Sequence, residues 1–389
     1  MRRVDILVVG GGPAGSSVAW GLRGSGLHVA VMDKSPFPRD KTCAGWITPA
    51  VLRSLAVDPD SYAASGRTLQ PIWGFRVGIE GARASAATFD RVISYGIRRC
   101  EWDHFLLERS GAELQLGEPL RALERRGNGW LANGSVHARL LIGAGGHFCP
   151  VRRMLAPAAA REPAIAAQEI EFELPANAAD PSVDPGVPEL RFTPALDGYG
   201  WVFRKGRYLN VGLGVRGGER LGERFRALRE AWRREGLLPQ EVPDDVRGHA
   251  YLLQGESRRP LRGEQVAFVG DSAGFAYPRS GEGIRPAVES GLLLASELRK
   301  AADFTSAAAL AGYERLAWMR FGPRDPIPSA RAFLPQALER AIARRLFAWP
   351  WFAREVIVRD WFVHERLPPV YLAPTVARTS WHVRPSPSN

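Results

Sequence analysis

The sequence is poor in cysteine, in long apolar runs and in clustered charge. Its 389 residues include three cysteines, Cys43, Cys100 and Cys149. Their odd number excludes a fully paired disulfide scaffold, and their spacing excludes a cysteine-built metal centre; reduced thiols and no metal are expected. No apolar run approaches the ~18 residues that a spanning helix needs. The first apolar run begins at Val4, which leaves no room for a secretory leader before it, so a cytoplasmic location is expected. The net charge of +11 would suit an anionic partner. The excess is nearly all arginine and is scattered rather than striped, and no nucleic-acid module is present, so no nucleic-acid partner is expected. What remains is an ordinary globular composition, 45% hydrophobic and 24% charged. The length allows two lobes or one large domain.

The stretch Val4–Asp33 organises the chain. Val4–Val9 is a short apolar run of strand length, and Gly10, Gly12 and Gly15 follow at once as G-x-G-x-x-G. Pro13 suits a first helical turn, where its missing N–H does no harm. Ala14–Arg23 carries helical spacing, Gly24 and Gly26 end it, and Val29–Met32 is a second apolar strand closed by Asp33. A helix N-terminus offers unpaired N–H groups and partial positive charge, which suits a pyrophosphate. A ligand brought close to backbone tolerates no Cβ in the turn, and an acid after the second strand can accept from ribose hydroxyls. Strand, turn, helix and acid together predict a dinucleotide site built on Gly10, Gly12, Pro13, Ala14, Gly15 and Asp33, with Lys34 beside it.

Lys34–Trp46 reads as a loop that starts beside the nucleotide; Lys41 in it is either a phosphate-neutralising charge or a solvated cation. Thr48–Leu55 looks helical, and Trp73–Ile79 and Ala87–Ser94 alternate as strands. The segment Gly96–Arg109 is predicted to carry a helix, with Trp102, Phe105 and Leu106 on one face and Glu101 in its opening turn. Glu113–Gly117 returns as strand, and Asn128–Gly129 and Asn133–Gly134 suggest the turns of a small meander. Ala138–Ile142 is a further strand running into Gly143, Ala144, Gly145 and Gly146, so Ala144 and Gly145 are expected to approach the ligand.

From 161 to 261 helical spacing thins. Ile165–Leu174, Leu190–Pro194, Gly200–Arg204 and Tyr208–Val215 read as an antiparallel sheet, Pro175–Pro188 as a proline-broken loop and Leu221–Glu235 as a helix. Gly212–Gly217 repeats the spacing G-x-G-x-x-G, but no strand ending in an acid follows it, so it is read as a decoy. Gln265–Val269 is a strand, followed by Gly270, Asp271, Gly274 and, after Pro278, Gly281 and Gly283 at the start of a helix from about Arg285 to Lys300. This second strand, glycine turn and helix start can hold the other end of one extended cofactor, with Asp271 on a polyol chain between them. The implied division is 1–70, 96–160 and 262–300 for a nucleotide-binding part, 71–95 and 161–261 for substrate strands, and 301–389 for a helical C-terminal region. In that last region Leu334, Leu338, Ile342 and Leu346 form an i, i+4 row with Arg340, Arg344 and Arg345 elsewhere. Such a basic helix either packs on its own protein or lies peripherally on a membrane. Ser386–Asn389 is expected to fray.

Four separated segments, Gly10–Gly15, Phe37–Gly45, Arg99–Asp103 and Gly270–Ile284, together resemble FAD-dependent oxidoreductases of the geranylgeranyl reductase superfamily, which groups with flavin-dependent halogenases and aromatic hydroxylases. Tyr199-Gly-Trp201-Val-Phe203 with Asn210-Val-Gly212-Leu-Gly214 resembles the reductases' Tyr-x-Trp signature. The resemblance implies an α/β fold: a glutathione-reductase-type, Rossmann-like FAD-binding domain, an inserted antiparallel β-sheet substrate domain and a C-terminal helical region. It implies FAD on the residues above, Arg99 along the cofactor, Asp271 on its ribityl or pyrophosphate part, Gly281, Gly283 and Ile284 at the flavin edge, and Cys43, Ala44 and Gly45 beside the ring. Tyr199, Trp201, Phe203 and Pro278 would line an apolar substrate cavity. Candidates for a direct part in the chemistry are Cys43, Tyr199 and Trp201; a packed thiol and packed aromatics account for them equally. Glu282 is either an acid near the ring or a complement to the helix dipole. The activity implied is reduction of carbon–carbon double bonds in an isoprenoid or other large apolar molecule, with NAD(P)H or another electron carrier as donor. A monooxygenase and a non-catalytic prenyl-binding protein are the alternatives. The Gly145-Gly146 pair where hydroxylases carry Asp-Gly, and the missing W-x-W-x-I-P string of halogenases, speak against those two chemistries.

Overall fold

Strands buried on both faces read as unbroken apolar runs, and that is why Arg2–Val9, Val29–Asp33 and Val136–Gly143 lie at the centre of a parallel sheet. The structure, a computed structural model, describes residues 1–155, 162, 164–175, 182–257, 259–322 and 336–372. Leu334, Ser386–Asn389 and part of the Pro175–Pro188 loop lie outside these residues. The sheet runs Arg262–Gly263, Val266–Phe268, Val136–Gly143, Arg2–Val9, Val29–Asp33, Glu113–Leu116. Val8 pairs with Val31 on one side and Ile142 on the other. The meander is present as Leu123–Arg126, Gly129–Ala132 and Val136–Gly143. Its first turn is Gly127–Asn128, with Gly127 at φ +57°, one residue earlier than Asn128–Gly129. Gly129 is already in the ladder, where a Cβ would collide with the Ala138 carbonyl.

Two helices cover the same side of this sheet, Pro13–Gly21 and Ile284–Lys300. They pack at backbone distance: a Cβ on Gly291 would lie 2.6 Å from the Ala14 carbonyl oxygen. Gly291→Val is therefore expected to destabilise the fold by about 1–3 kcal/mol or more, as overpacking does, and to lower the midpoint of urea unfolding.

The second sheet runs Arg247–Tyr251, Ile165–Glu173, Tyr208–Arg216, Gly198–Lys205, Glu189–Phe192, Gly74–Ile79, Ser85–Thr88. It is antiparallel except where Glu189–Phe192 pairs in parallel with Gly74–Ile79, a strand that enters from an earlier part of the chain. Alternation along Gly198–Lys205 sends Val202 to the face covered by helix Leu221–Arg234, with Phe225, Leu228 and Trp232. Tyr199, Trp201 and Phe203 go to the other face. The expected strand Ala87–Ser94 is corrected to two, Ser85–Thr88 and Ser94–Ile97, in different sheets; the exposed corner Asp90–Arg91 turns the chain between them. Arg247–Tyr251 is a strand that its sequence does not announce. Gly212 and Gly214 sit inside a strand, where a Cβ on Gly212 would collide with the Trp201 indole, so these two glycines make room for a ring, and only Gly217, at φ +72°, lies in the turn that follows.

The C-terminal part follows as helix Gln336–Ala348, a turn Pro350–Phe352 and a π-helical stretch Ala353–Phe362. The helix packs through Ala343 and Phe347, not through the row Leu338 and Ile342, which are 47% and 42% exposed. Among the described residues no helix is long and apolar enough to cross a membrane.

Candidate cofactor and substrate site

One cavity of about 730 Å³ opens along the carboxyl ends of the parallel strands and continues under the second sheet. That is where open α/β sheets place their ligands, and the volume is that of a ligand pocket. Both helix N-termini reach it. Gly10, Gly12, Pro13 and Ala14 line it from the first, Gly281, Gly283 and Ile284 from the second. Gly10 takes φ +116°, and a Cβ there would collide with the Ala144 carbonyl. Gly15 is not in the lining; it stands behind the turn, where a Cβ would collide with the Gly10 carbonyl.

Asp33 lines the cavity, and its carboxylate accepts from Gly11 N at 2.7 Å and Ser35 N at 2.9 Å. Each oxygen retains a second lone pair for a ligand hydroxyl. Lys34 lies exposed at the rim. Lys41 and Arg99 bring positive charge to the middle, and Arg99 is fixed by two 2.8 Å bonds to Asp103. Burial, and then the neighbouring Arg99, push the Lys41 pKa down to about 8 against the pull of Asp271. Asp271 lies across from them, 3.6 Å from His249 Nε2. Burial would raise its pKa, but His249, Lys41 and Arg99 hold it below the usual carboxylate value. Ala144 and Gly145 close the wall at the end of their strand.

Cys43, Ala44 and Trp46 line the far end, with Gly45 behind them under Lys205. Tyr199 and Trp201 face this end with ring centroids 6.0 Å apart. The Tyr199 hydroxyl donates to the Ser280 carbonyl. The Trp201 indole donates to Asn210 Oδ1 at 2.7 Å, and Asn210 Nδ2 donates to the Cys43 carbonyl at 3.2 Å. One amide thus ties the substrate strand to the loop beside the cavity. Phe203 and Pro278 do not line the cavity: Phe203 is buried deeper, edge-on to Phe75 at 6.0 Å, and Pro278 is exposed.

The cavity also holds residues that sequence reasoning missed. Arg247, His249 and Tyr251 reach it from the unforeseen strand, alternate residues on one face, which is the signal that could have found them. Burial first, then Lys41, lowers the His249 pKa from 6.5 to about 4. A histidine whose folded value is depressed supports stability above its unfolded value and loses that support as pH falls toward the folded one. The melting temperature of cofactor-free protein is therefore expected to drop between about pH 6.5 and 4. His249→Gln, which keeps a donor for Asp271, should flatten that slope in a pH series of thermal melts.

No family model matches the chain. It is 30% identical over 302 residues to a geranylgeranyl diphosphate reductase of Rhodobacter capsulatus, covering 72% of this chain and 71% of that one. It is 30% identical over 323 residues to a menaquinone reductase of Mycobacterium tuberculosis, covering 76% of each. A digeranylgeranylglycerophospholipid reductase of Methanopyrus kandleri is 29% identical over 332 residues, 80% of this chain and 84% of that one. Among solved structures, a geranylgeranyl bacteriochlorophyll reductase-like protein of Thermoplasma acidophilum superposes with a TM-score of 0.74 at 21% identity, covering 94% of this chain and 99% of that one. These relatives place the chain among the FAD-dependent oxidoreductases. Within that class, the chain belongs to the geranylgeranyl reductase family.

Proposed function

We propose that the protein uses FAD to reduce carbon–carbon double bonds of an isoprenoid chain or another large apolar substrate. The observation that carries this reading is the convergence of two helix N-termini, from distant parts of the sequence, on a cavity whose far end is apolar and aromatic. The donor set fits FAD: a cradle that a Cβ at Gly10 would fill, an acid at Asp33, cations at Lys41 and Arg99, and a second N-terminus at Gly283. In this reading the first sheet and its helices form a glutathione-reductase-type FAD-binding domain. Gly10, Gly12 and Ala14 hold the pyrophosphate, Asp33 the ribose and Asp271 the ribityl chain, and Pro13 opens the helix beside the pyrophosphate. Gly281, Gly283 and Ile284 meet the ring edge. Bound FAD supplies hydride transfer. The protein's own residues exclude water through Trp46, Tyr199 and Trp201 and hold a proton on Glu282. The relatives named above as reductases of geranylgeranyl and menaquinone compounds support the substrate class. The electron donor is NAD(P)H or another carrier, and the protein works in the cytoplasm.

The test is anaerobic. Purified protein is expected to be yellow, and its reduced form to be reoxidised by a prenyl lipid that gains one H₂ by mass spectrometry. Reduced protein that no prenyl or polyene substrate reoxidises contradicts the reading. Substrate-stimulated oxygen uptake would point to a monooxygenase instead, and a colourless protein that still binds prenyl chains to a non-catalytic carrier.

A further inference from the structure

The helix Gln336–Ala348 has two apolar sides, and the described residues bury one. Ala343 and Phe347 are buried, with the Phe347 ring edge-on to Phe192 at 4.7 Å. On the other side Leu338 and Ile342 stand 47% and 42% exposed, and Trp349 and Trp351 follow at 52% and 54% with ring centroids 5.1 Å apart. Half-buried Leu346 continues the row from Ile342 toward Trp349. Arg340, Arg344 and Arg345 are exposed on the flanks of this row, whereas Arg354, beyond the turn, pairs with Glu355 at 3.6 Å. Residues 336–348 contain three arginines against one acid, Glu339.

Exposed large apolar side chains gathered in one place mark an interaction surface. Tryptophan is the residue whose ring prefers the lipid–water boundary, and arginines beside it meet lipid phosphates. A second copy of this chain would bring the same arginines face to face across an isologous contact, which charge repulsion opposes. An anionic bilayer satisfies both features at once. We infer that this face docks the protein on an anionic lipid bilayer, with Leu338, Ile342, Trp349 and Trp351 in the headgroup boundary and Arg340, Arg344 and Arg345 on lipid phosphates. The inner side of the same strap borders the cavity: Phe362, at the end of the π-helical stretch, lies 5.3 Å from the Tyr199 ring and 6.1 Å from Trp46. Docking on this face would set the apolar end of the cavity beside the bilayer.

The inference goes beyond the reductase reading and is tested without turnover, so failure of one is distinguishable from failure of the other. The full chain is sedimented with vesicles of phosphatidylcholine alone or mixed with phosphatidylglycerol, and tryptophan emission is followed. Binding is expected only to the mixed vesicles, with a blue shift, and it should weaken as salt rises. Arg340→Gln, Arg344→Gln and Arg345→Gln should each weaken it by roughly fivefold, and together by about a hundredfold. Leu338→Ser with Ile342→Ser should abolish the residual binding. All five positions are exposed, and unchanged circular dichroism and flavin content check the fold. Wild-type protein that stays in the supernatant with mixed vesicles, or variants that bind as tightly as wild type, overturns the inference. So does a lipid-free dimer that the Leu338→Ser, Ile342→Ser variant converts to monomer, which would assign the face to a second copy.

Discussion

Gly12→Asp is expected to cost the protein its flavin and to leave the fold as stable as before. Gly12 is the N-cap of the first helix, with ordinary extended backbone at φ −74°, ψ −175°. A Cβ there meets nothing closer than Arg39 Nη2 at 3.4 Å. Aspartate is among the preferred N-cap residues, favoured over glycine by a few tenths of a kcal/mol, and its charge complements the helix dipole. Melting should therefore move by no more than a few degrees. The same carboxylate stands where the pyrophosphate is proposed to bind, and juxtaposed like charges cost several kcal/mol. A loss of about 3 kcal/mol or more is a weakening of FAD binding of at least about a hundredfold, read as the flavin-to-protein absorbance ratio after dialysis. Gly15→Ala is the contrasting lesion: its Cβ collides with the Gly10 carbonyl, so the fold should suffer together with the binding. A Gly12→Asp protein that keeps its full complement of flavin would show that the pyrophosphate lies elsewhere.

The parts of this site that were legible in the sequence are those whose cause is local. Val4–Asp33 announces itself because each strand is a largely apolar run and because Gly10 and Gly15 stand where a side chain would collide with backbone. The second terminus at Gly283 was legible for the same reason. What escaped is what distant chain decides. Arg247–Tyr251 has little intrinsic strand preference; it is a strand because Ile165–Glu173 presents an edge that it pairs with, Ala167 opposite His249. Through that pairing His249 and Tyr251 enter the cavity, and no spacing from Asp271 foretells it. Period two puts Phe203 on the face of Tyr199 and Trp201, but it does not say how far along the strand the cavity extends; Phe203 lies one step too deep, against Phe75. The row Leu338, Ile342 was legible as apolar spacing, whereas the side on which the helix packs was set by Phe192 and its neighbours on the second sheet.

With Glu282→Gln we expect flavin content and flavin reduction to persist while reoxidation by an alkene slows by about 10²–10⁴-fold, the usual worth of a positioned general acid. Glu282 is 7% exposed and lines the cavity between Gly281 and Gly283. One carboxyl oxygen accepts from Arg285 N at 2.6 Å; the other is buried with no side-chain or backbone hydrogen-bond partner among the described residues. The Arg285 guanidinium is held elsewhere, by Glu289 at 2.9 Å and by the carbonyls of His364 and Leu367 at 3.1 and 2.6 Å. Burial therefore dominates and raises the Glu282 pKa from 4.5 to about 8. The group keeps its proton at neutral pH and can give it to the alkene carbon that does not receive hydride. Alkene reduction should fall as pH rises through about 8 in the wild type, and that limb should be absent in the glutamine variant. Stability supplies the control. The folded state holds this proton above the pH at which the unfolded chain releases it, so Glu282 makes the fold progressively less stable as pH rises from about 4.5 to 8. Glutamine removes that slope whatever the residue does in turnover. A variant whose unfolding midpoint loses its pH dependence while alkene reduction keeps its rate and its alkaline limb would make Glu282 a helix-start residue only, and the proton would have to come from Cys43 or from water.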